Sequence, residues 1–236
     1  MKLLLLSDFR YVGEKYIKKF FKNGQTVECL IINYANEENE PFELSGSYEK
    51  LKNLPYQMHF TNLSENLKIK IRPDMIFVRG GNTAKLLYEL RLYNQFDMIK
   101  RFVQEGSLYV GISAGSVLAG SDIFWTLRSE PYEKDLNKEF PKFGYKGFGF
   151  VDKLVFVHTS KYRIVWKEEK QNPNEKDYRV FNKEFYADYL IDRKLYNSDE
   201  FIKIGNNQAL FCCGEKQAIK TYDWSKLEIK KELCKM

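Results

Sequence analysis

Five residues near the middle of the chain, Gly111-Ile112-Ser113-Ala114-Gly115, fit the pattern Gly-x-Ser-x-Gly. The pattern carries chemistry when a strand leads into it and a helix leaves it. The tight turn between them strains the serine backbone and lifts the hydroxyl above the sheet edge. Glycines two positions to either side remove side chains that would clash in that turn. Ser113 is therefore expected to be a nucleophile, and a neutral hydroxyl needs a base. The chain has only two histidines, His59 and His158. His158 follows the apolar run Leu154–Val157, which puts it at the end of a predicted strand, and it is assigned as general base and later general acid. His59 ends a weaker predicted strand ahead of the serine. Acyl transfer also needs donors for the developing oxyanion. The backbone N–H of Ala114 is one candidate, and Gly80-Gly81-Asn82 offers a second, the N–H of Gly81. Each such donor stabilises a transition state by about 3–4 kcal/mol.

Each element has a bland reading when taken alone. Gly-x-Ser-x-Gly recurs by chance, Gly-Gly-Asn is usually a turn, and a single histidine after an apolar strand is usually structural. The combination says more, because each element falls at the carboxyl end of a predicted strand. That is where open α/β sheets hold their ligands.

The elements that must position these residues can be read from the apolar pattern. Leu3–Leu6 and Val27–Ile32 are continuous apolar runs, expected of parallel strands covered on both faces. Between them Tyr16, Ile17, Phe20 and Phe21 recur at helical spacing, and Gly24 is expected to stop that helix. Ser45–Leu54 predicts a short helix before Pro55, and Tyr56–Phe60 a third strand. Met75–Val78 predicts a strand running straight into Arg79-Gly80-Gly81-Asn82-Thr83. A long helical pattern then runs from Leu86 to Val103, with a break near Tyr93–Asp97 and an end at Gly106. Leu108–Ile112 predicts the strand that delivers Ser113, and Ala114–Gly120 a helix of small residues. Further on, a helix is expected over Val180–Leu195 and short strands over Phe201–Ile204, Gln208–Cys213 and Ala218–Tyr222. The whole predicts an α/β fold with a doubly wound, mostly parallel sheet. One domain is expected over 1–236, with an insertion around 124–147 and a C-terminal extension after about residue 214.

Composition narrows the function classes. Hydrophobic residues make up 44% of the chain and charged residues 30%, which supports a packed core rather than disorder. The net charge of +6 comes from 38 basic and 32 acidic residues that alternate, as in Lys167-Glu168-Glu169-Lys170. No basic stripe favours nucleic acid. Cys29, Cys212, Cys213 and Cys234 include no Cys-x-x-Cys pair, so neither a zinc site nor a disulfide framework follows. The leading apolar run is too short for a secretory signal, and no stretch is long enough to span a bilayer. A cytoplasmic monomer or homodimer is expected, with no membrane partner.

The quoted residues also carry a family resemblance. Gly80-Gly81-Asn82-Thr83 with Leu86-Leu87 and Leu90-Arg91, followed by Tyr109-Val110-Gly111-Ile112-Ser113-Ala114-Gly115-Ser116 and Gly120-Ser121-Asp122-Ile123, resembles the peptidase E family (S51), in which cyanophycinases are wider relatives. The resemblance implies a flavodoxin-like sheet akin to class I glutamine amidotransferase domains, with serine in place of their cysteine. It implies a Ser–His site at Ser113 and His158, an oxyanion hole at Gly81 and Ala114, and cleavage of small peptides, such as dipeptides with N-terminal aspartate, without metal or cofactor. The chain departs from the family pattern in three places. The histidine sits in Val157-His158-Thr159-Ser160 rather than after proline, and there is extra length around Pro131–Tyr145. The third triad member falls at either Asn206 or Glu130. An acidic substrate needs a cation, for which Arg128 and Arg163 are candidates; Asn82 and Thr83 are further candidates for substrate contact. The aromatic residues Phe124, Trp125, Phe143, Tyr145, Phe148 and Phe150 are expected to pack the insertion rather than wall a pocket. An esterase or amidase, or a non-catalytic binding protein on the same fold, is the alternative.

Overall fold

The computed structural model describes residues 1–36, 41–123, 126, 144–158, 201–205, 208–213 and 216–221. The first strand, β1 (Lys2–Leu6), is followed by α1 (Phe9–Ile17) and β2 (Thr26–Ile32). Next come α2 (Gly46–Lys52), β3 (Gln57–Asn62), β4 (Met75–Val78), α3 (Thr83–Leu92), α4 (Phe96–Gln104), β5 (Leu108–Ile112) and α5 (Ala114–Leu118). The chain continues with β6 (Leu154–Val157), β7 (Phe201–Ile204), β8 (Gln208–Cys213) and β9 (Lys216–Thr221). The predicted helix at Val180–Leu195 and most of the expected insertion lie outside the described residues.

Seven strands form one sheet in the order β3-β2-β4-β5-β1-β8-β9. β3, β2, β4, β5 and β1 run parallel, and β8 and β9 close the sheet antiparallel. The expected mostly parallel α/β sheet is therefore what the chain builds. β1 pairs with β5 and β8 rather than with β2, so the first connection passes over two strands.

The period-two alternation of the strands divides the core. Leu3, Leu5, Leu30, Ile32, Ile76, Val78 and Tyr109 face α3, α4 and α5. Leu4, Leu6, Ile31, Met75, Phe77, Leu108 and Val110 face α1 and α2. Both sides of the central strands are covered, which explains their unbroken apolar runs.

Two features differ from expectation. α1 ends at Ile17, not near Gly24. Phe20 and Phe21 lie beyond it, where the chain tightens into turns in which the N–H groups of Lys19 and Phe20 donate to the carbonyls of Tyr16 (3.1 Å) and Ile17 (2.9 Å). Phe20 stacks on Phe211 at 4.9 Å, and Phe21 meets Tyr56 edge-on at 5.7 Å. The second difference concerns β6. It leaves the main sheet and pairs with β7 in a separate parallel ribbon, which packs into the core on the α5 side through Val155, Phe156, Ile202 and Ile204. The expected break in the long helix is real, since α3 and α4 are separated at Asn94, whose φ is +56°. Phe148 and Phe150 pack as expected: Phe148 stacks on Phe96 and Phe150, at 4.4 and 4.9 Å. Among the described residues no helix is long and apolar enough to cross a membrane.

Candidate active site

β5 ends at Ile112, and the next residue turns the chain through φ 49° and ψ −108° at Ser113 before α5 begins. Such a conformation costs a non-glycine residue about 1–3 kcal/mol, so its surroundings must enforce it. They do so from three sides. The Ser113 N–H donates to the Leu6 carbonyl at the end of β1 (2.9 Å). The Ser113 carbonyl accepts from the N–H groups of Ser116 (2.9 Å) and Val117 (3.0 Å). The flanking glycines allow the turn to close. A Cβ on Gly111 would sit 2.6 Å from the Gly115 carbonyl oxygen, and one on Gly115 would sit 2.6 Å from the Val78 carbonyl oxygen.

Two buried hydroxyls brace the same turn. Ser116 is wholly buried; its Oγ accepts the Leu6 N–H at 2.8 Å and lies 2.7 Å from the carbonyls of Leu6 and Gly111, one of which takes its single proton. Tyr109 donates its hydroxyl to the Gly115 carbonyl at 2.6 Å. Burial pushes the Tyr109 phenol well above its ordinary range, so it stays protonated and remains a donor.

The Ser113 hydroxyl lies 2.8 Å from Nε2 of His158. For that nitrogen to accept the serine proton, the imidazole must carry its own proton on Nδ1. His158 follows β6, so the nucleophile and the imidazole come from different sheets. Its backbone also turns to a positive φ, 59°, and its N–H donates to the Ser7 hydroxyl at 3.0 Å. Ser7 is 1% exposed and donates in turn to the Ile204 carbonyl. His59 is not part of this arrangement. It lies within the edge strand β3, exposed, with Nδ1 2.8 Å from Glu28.

The Gly80-Gly81 turn at the end of β4 packs against the serine: a Cβ on Gly80 would stand 3.0 Å from the Ser113 Cβ. Gly81 has φ +135°, and a Cβ there would fall 2.0 Å from the Ala35 carbonyl oxygen. Among the described residues no acceptor meets the N–H of Gly81 or of Ala114. Asn82 has a structural task. Its Oδ1 caps α3 by accepting from the N–H groups of Ala84 (3.1 Å) and Lys85 (2.9 Å). Asn82 and Thr83 are both buried, at 8% and 2% exposure. Glu130, Asn206, Arg128 and Arg163 lie outside the described residues.

Three participants lie outside the five-residue Gly-x-Ser-x-Gly pattern. Ser7 follows the first apolar run, Ser116 sits one residue past the motif, and Tyr109 lies inside the strand before it. Their hydroxyls were legible only as polar atoms in otherwise apolar stretches, which must find partners when buried.

A strand-to-helix elbow that raises a serine toward an imidazole defines the nucleophile-elbow class of α/β proteins. Comparison with known sequences makes this specific: the model of peptidase family S51 matches residues 3–220, and the chain belongs to that family. It is similar to peptidase E of Shewanella denitrificans, 35% identical over 127 residues, a match covering 51% of this chain and 54% of that protein. The chain thus spans about half the length of that curated relative. It is also 24% identical over 225 residues to an uncharacterised peptidase of Listeria monocytogenes, covering 92% of this chain and 97% of that one. In fold it resembles the crystal structure of a candidate peptidase E protein from Listeria monocytogenes, with TM-score 0.67 and 22% identity over 94% of this chain and 98% of that one.

Proposed function

We propose that the protein is a serine-type hydrolase of small peptides. The observation that carries this reading is the 2.8 Å contact between the Ser113 hydroxyl and His158 Nε2, at a backbone turn strained to expose that hydroxyl. In the proposed cycle Ser113 Oγ attacks the scissile carbonyl carbon while His158 Nε2 takes its proton. The oxyanion is met by the N–H groups of Gly81 and Ala114. Collapse breaks the C–N bond, and the imidazolium gives its proton to the leaving amine. Water then attacks the acyl-enzyme, losing a proton to His158. The ester bond breaks, Ser113 regains its proton, and the N-terminal product leaves. Nδ1 of His158 needs an acceptor to fix the tautomer, for which Asn206 and Glu130 are the two candidates. Dipeptides with N-terminal aspartate are the substrates to try first, with Arg128 and Arg163 as candidate partners for the acidic side chain. A cytoplasmic setting fits the free thiols of Cys29 and Cys212.

Purified protein and a Ser113→Ala variant, assayed against a panel of Asp-X dipeptides and a fluorophosphonate probe, test the proposal. Hydrolysis and labelling by the wild-type protein alone support it. Equal turnover by both proteins refutes it. Labelling of Ser113 without cleavage of any peptide would move the substrate to another acyl compound.

A further inference from the structure

The two halves of the Ser113–His158 pair stand on different sheets, and something must fix the distance between them. The nucleophile belongs to the main sheet through β5. The imidazole belongs to the small ribbon of β6 and β7. Two consecutive residues at the end of β1 hold both. The Leu6 carbonyl accepts the Ser113 N–H at 2.9 Å. Next in the chain, Ser7 accepts the His158 N–H at 3.0 Å and donates to the Ile204 carbonyl, the last residue of the paired strand. Their Cα atoms are separated by one trans peptide, about 3.8 Å. One stiff peptide unit thereby sets the base against the nucleophile.

We propose that Ser7 is a positioning residue for the Ser113–His158 pair, its buried hydroxyl latching the ribbon that carries the imidazole to the strand that holds the nucleophile. This rests on the peptidase reading and extends it. A hydroxyl suits the place, because one oxygen both accepts the His158 N–H and donates to the Ile204 carbonyl. At 1% exposure no bulk water replaces either bond. Without the latch the β6–β7 ribbon keeps its apolar packing but loses its hydrogen-bonded tie to the residue after β1. His158 leaves the serine proton while substrate contacts at the Gly81 turn stay in place. The loss therefore falls on kcat rather than on KM.

The test uses the full chain with Ser7→Ala, Ser7→Thr and a control, Leu51→Ala, which opens a cavity in α2 on the other face of the sheet. Ser7→Ala should lower kcat and the fluorophosphonate labelling rate about 10- to 100-fold, the scale of a misplacement of about 1 Å, with KM within about twofold. Ser7→Thr keeps the hydroxyl and should recover most of the loss. Leu51→Ala should lower the melting temperature without this loss. Because the chain has only two histidines, nitrogen NMR of the imidazoles gives a readout that needs no activity. The His158 Nε2 resonance should move in Ser7→Ala while the His59 signals stay. His158 resonances unchanged from wild type, or a Leu51→Ala enzyme as slow as Ser7→Ala, would overturn the proposal. A wild-type protein inert to every peptide and to the probe would instead remove the peptidase reading, and the imidazole resonances would still decide the role of Ser7.

Discussion

Substituting Gly111 by alanine asks whether the elbow geometry controls reactivity. Gly111 has an ordinary negative φ, so alanine adds no backbone strain there. The added methyl would meet only backbone: the Gly115 carbonyl oxygen at 2.6 Å, its carbon at 2.7 Å and the Ser116 nitrogen at 2.8 Å. No side chain can rotate away, so β5 and the first turn of α5 must separate by roughly 0.8 Å to reach an ordinary contact near 3.4 Å. Ser113 lies between the two moving parts, 2.8 Å from His158 Nε2. The same shift stretches that contact toward or past the limit for a good hydrogen bond. Overpacking of this kind costs about 1–3 kcal/mol of stability. For a chain of this size that is about 2–4 °C in Tm per kcal/mol. Misplacing the nucleophile by this much costs about 100-fold in rate. Gly24→Ala supplies the contrast. Gly24 has φ +76° with nothing within 4 Å of an added Cβ, so alanine there brings strain of about 1–2 kcal/mol and no collision. Fluorophosphonate labelling followed by mass spectrometry, beside thermal melts, measures both quantities. Gly111→Ala should lose rate and stability, and Gly24→Ala stability alone. Labelling of Gly111→Ala within twofold of wild type, at a matched loss of Tm, would refute the reasoning.

His59→Gln should leave peptide turnover and labelling within about twofold of wild type, while His158→Gln should lower both by at least about 100-fold; comparable losses in the two would refute the assignment. Asn82→Ala should cost about 1 kcal/mol of stability through loss of the α3 cap, read by urea unfolding, with KM for a dipeptide unchanged. A raised KM would instead assign Asn82 to substrate. Burial holds Cys29 and Tyr109 protonated in the fold above their ordinary values of 9.0 and 10.0. The unfolded chain releases those protons first, so the contribution of these two groups to stability is level below about pH 9 and declines as pH rises beyond it. Urea midpoints at pH 8.0 and 10.5 check the sign, and a midpoint unchanged or higher at the alkaline pH contradicts it.

The central strands and the elbow were legible because their causes are local. Leu3–Leu6 and Met75–Val78 are apolar throughout because both sheet faces are covered, and Gly111 answers a contact with Gly115 and Ser116 made within five residues, whereas Gly115 answers the neighbouring strand at Val78. Strand order was not legible. Parallel strands buried on both faces look alike, and nothing in Leu3–Leu6 says that its neighbours are Leu108–Ile112 and Gln208–Cys213. The place of His158 was half legible. Its rarity and its strand-end position singled it out, but not the departure of β6 from the main sheet, which depends on pairing with β7 some 45 residues later. Asn82 is a candidate for substrate contact in the sequence, and the structure adds that its oxygen caps α3. Ser7 was invisible as a partner of His158, since their bond joins residues 151 positions apart.

The place of β1 in the middle of the sheet has a consequence for biosynthesis. Its four buried leucines leave the ribosome long before either neighbour: Lys2 waits for Leu108 on one side and Cys213 on the other. At about 5–20 residues per second that second partner follows roughly 10–40 s later. Through that interval a greasy, unpaired segment needs shelter, from a chaperone or from collapse within the nascent chain. Serine and imidazole cannot be aligned before β7 and β8 (Phe201–Cys213) have been made, so the proposed hydrolytic site stays inert until then.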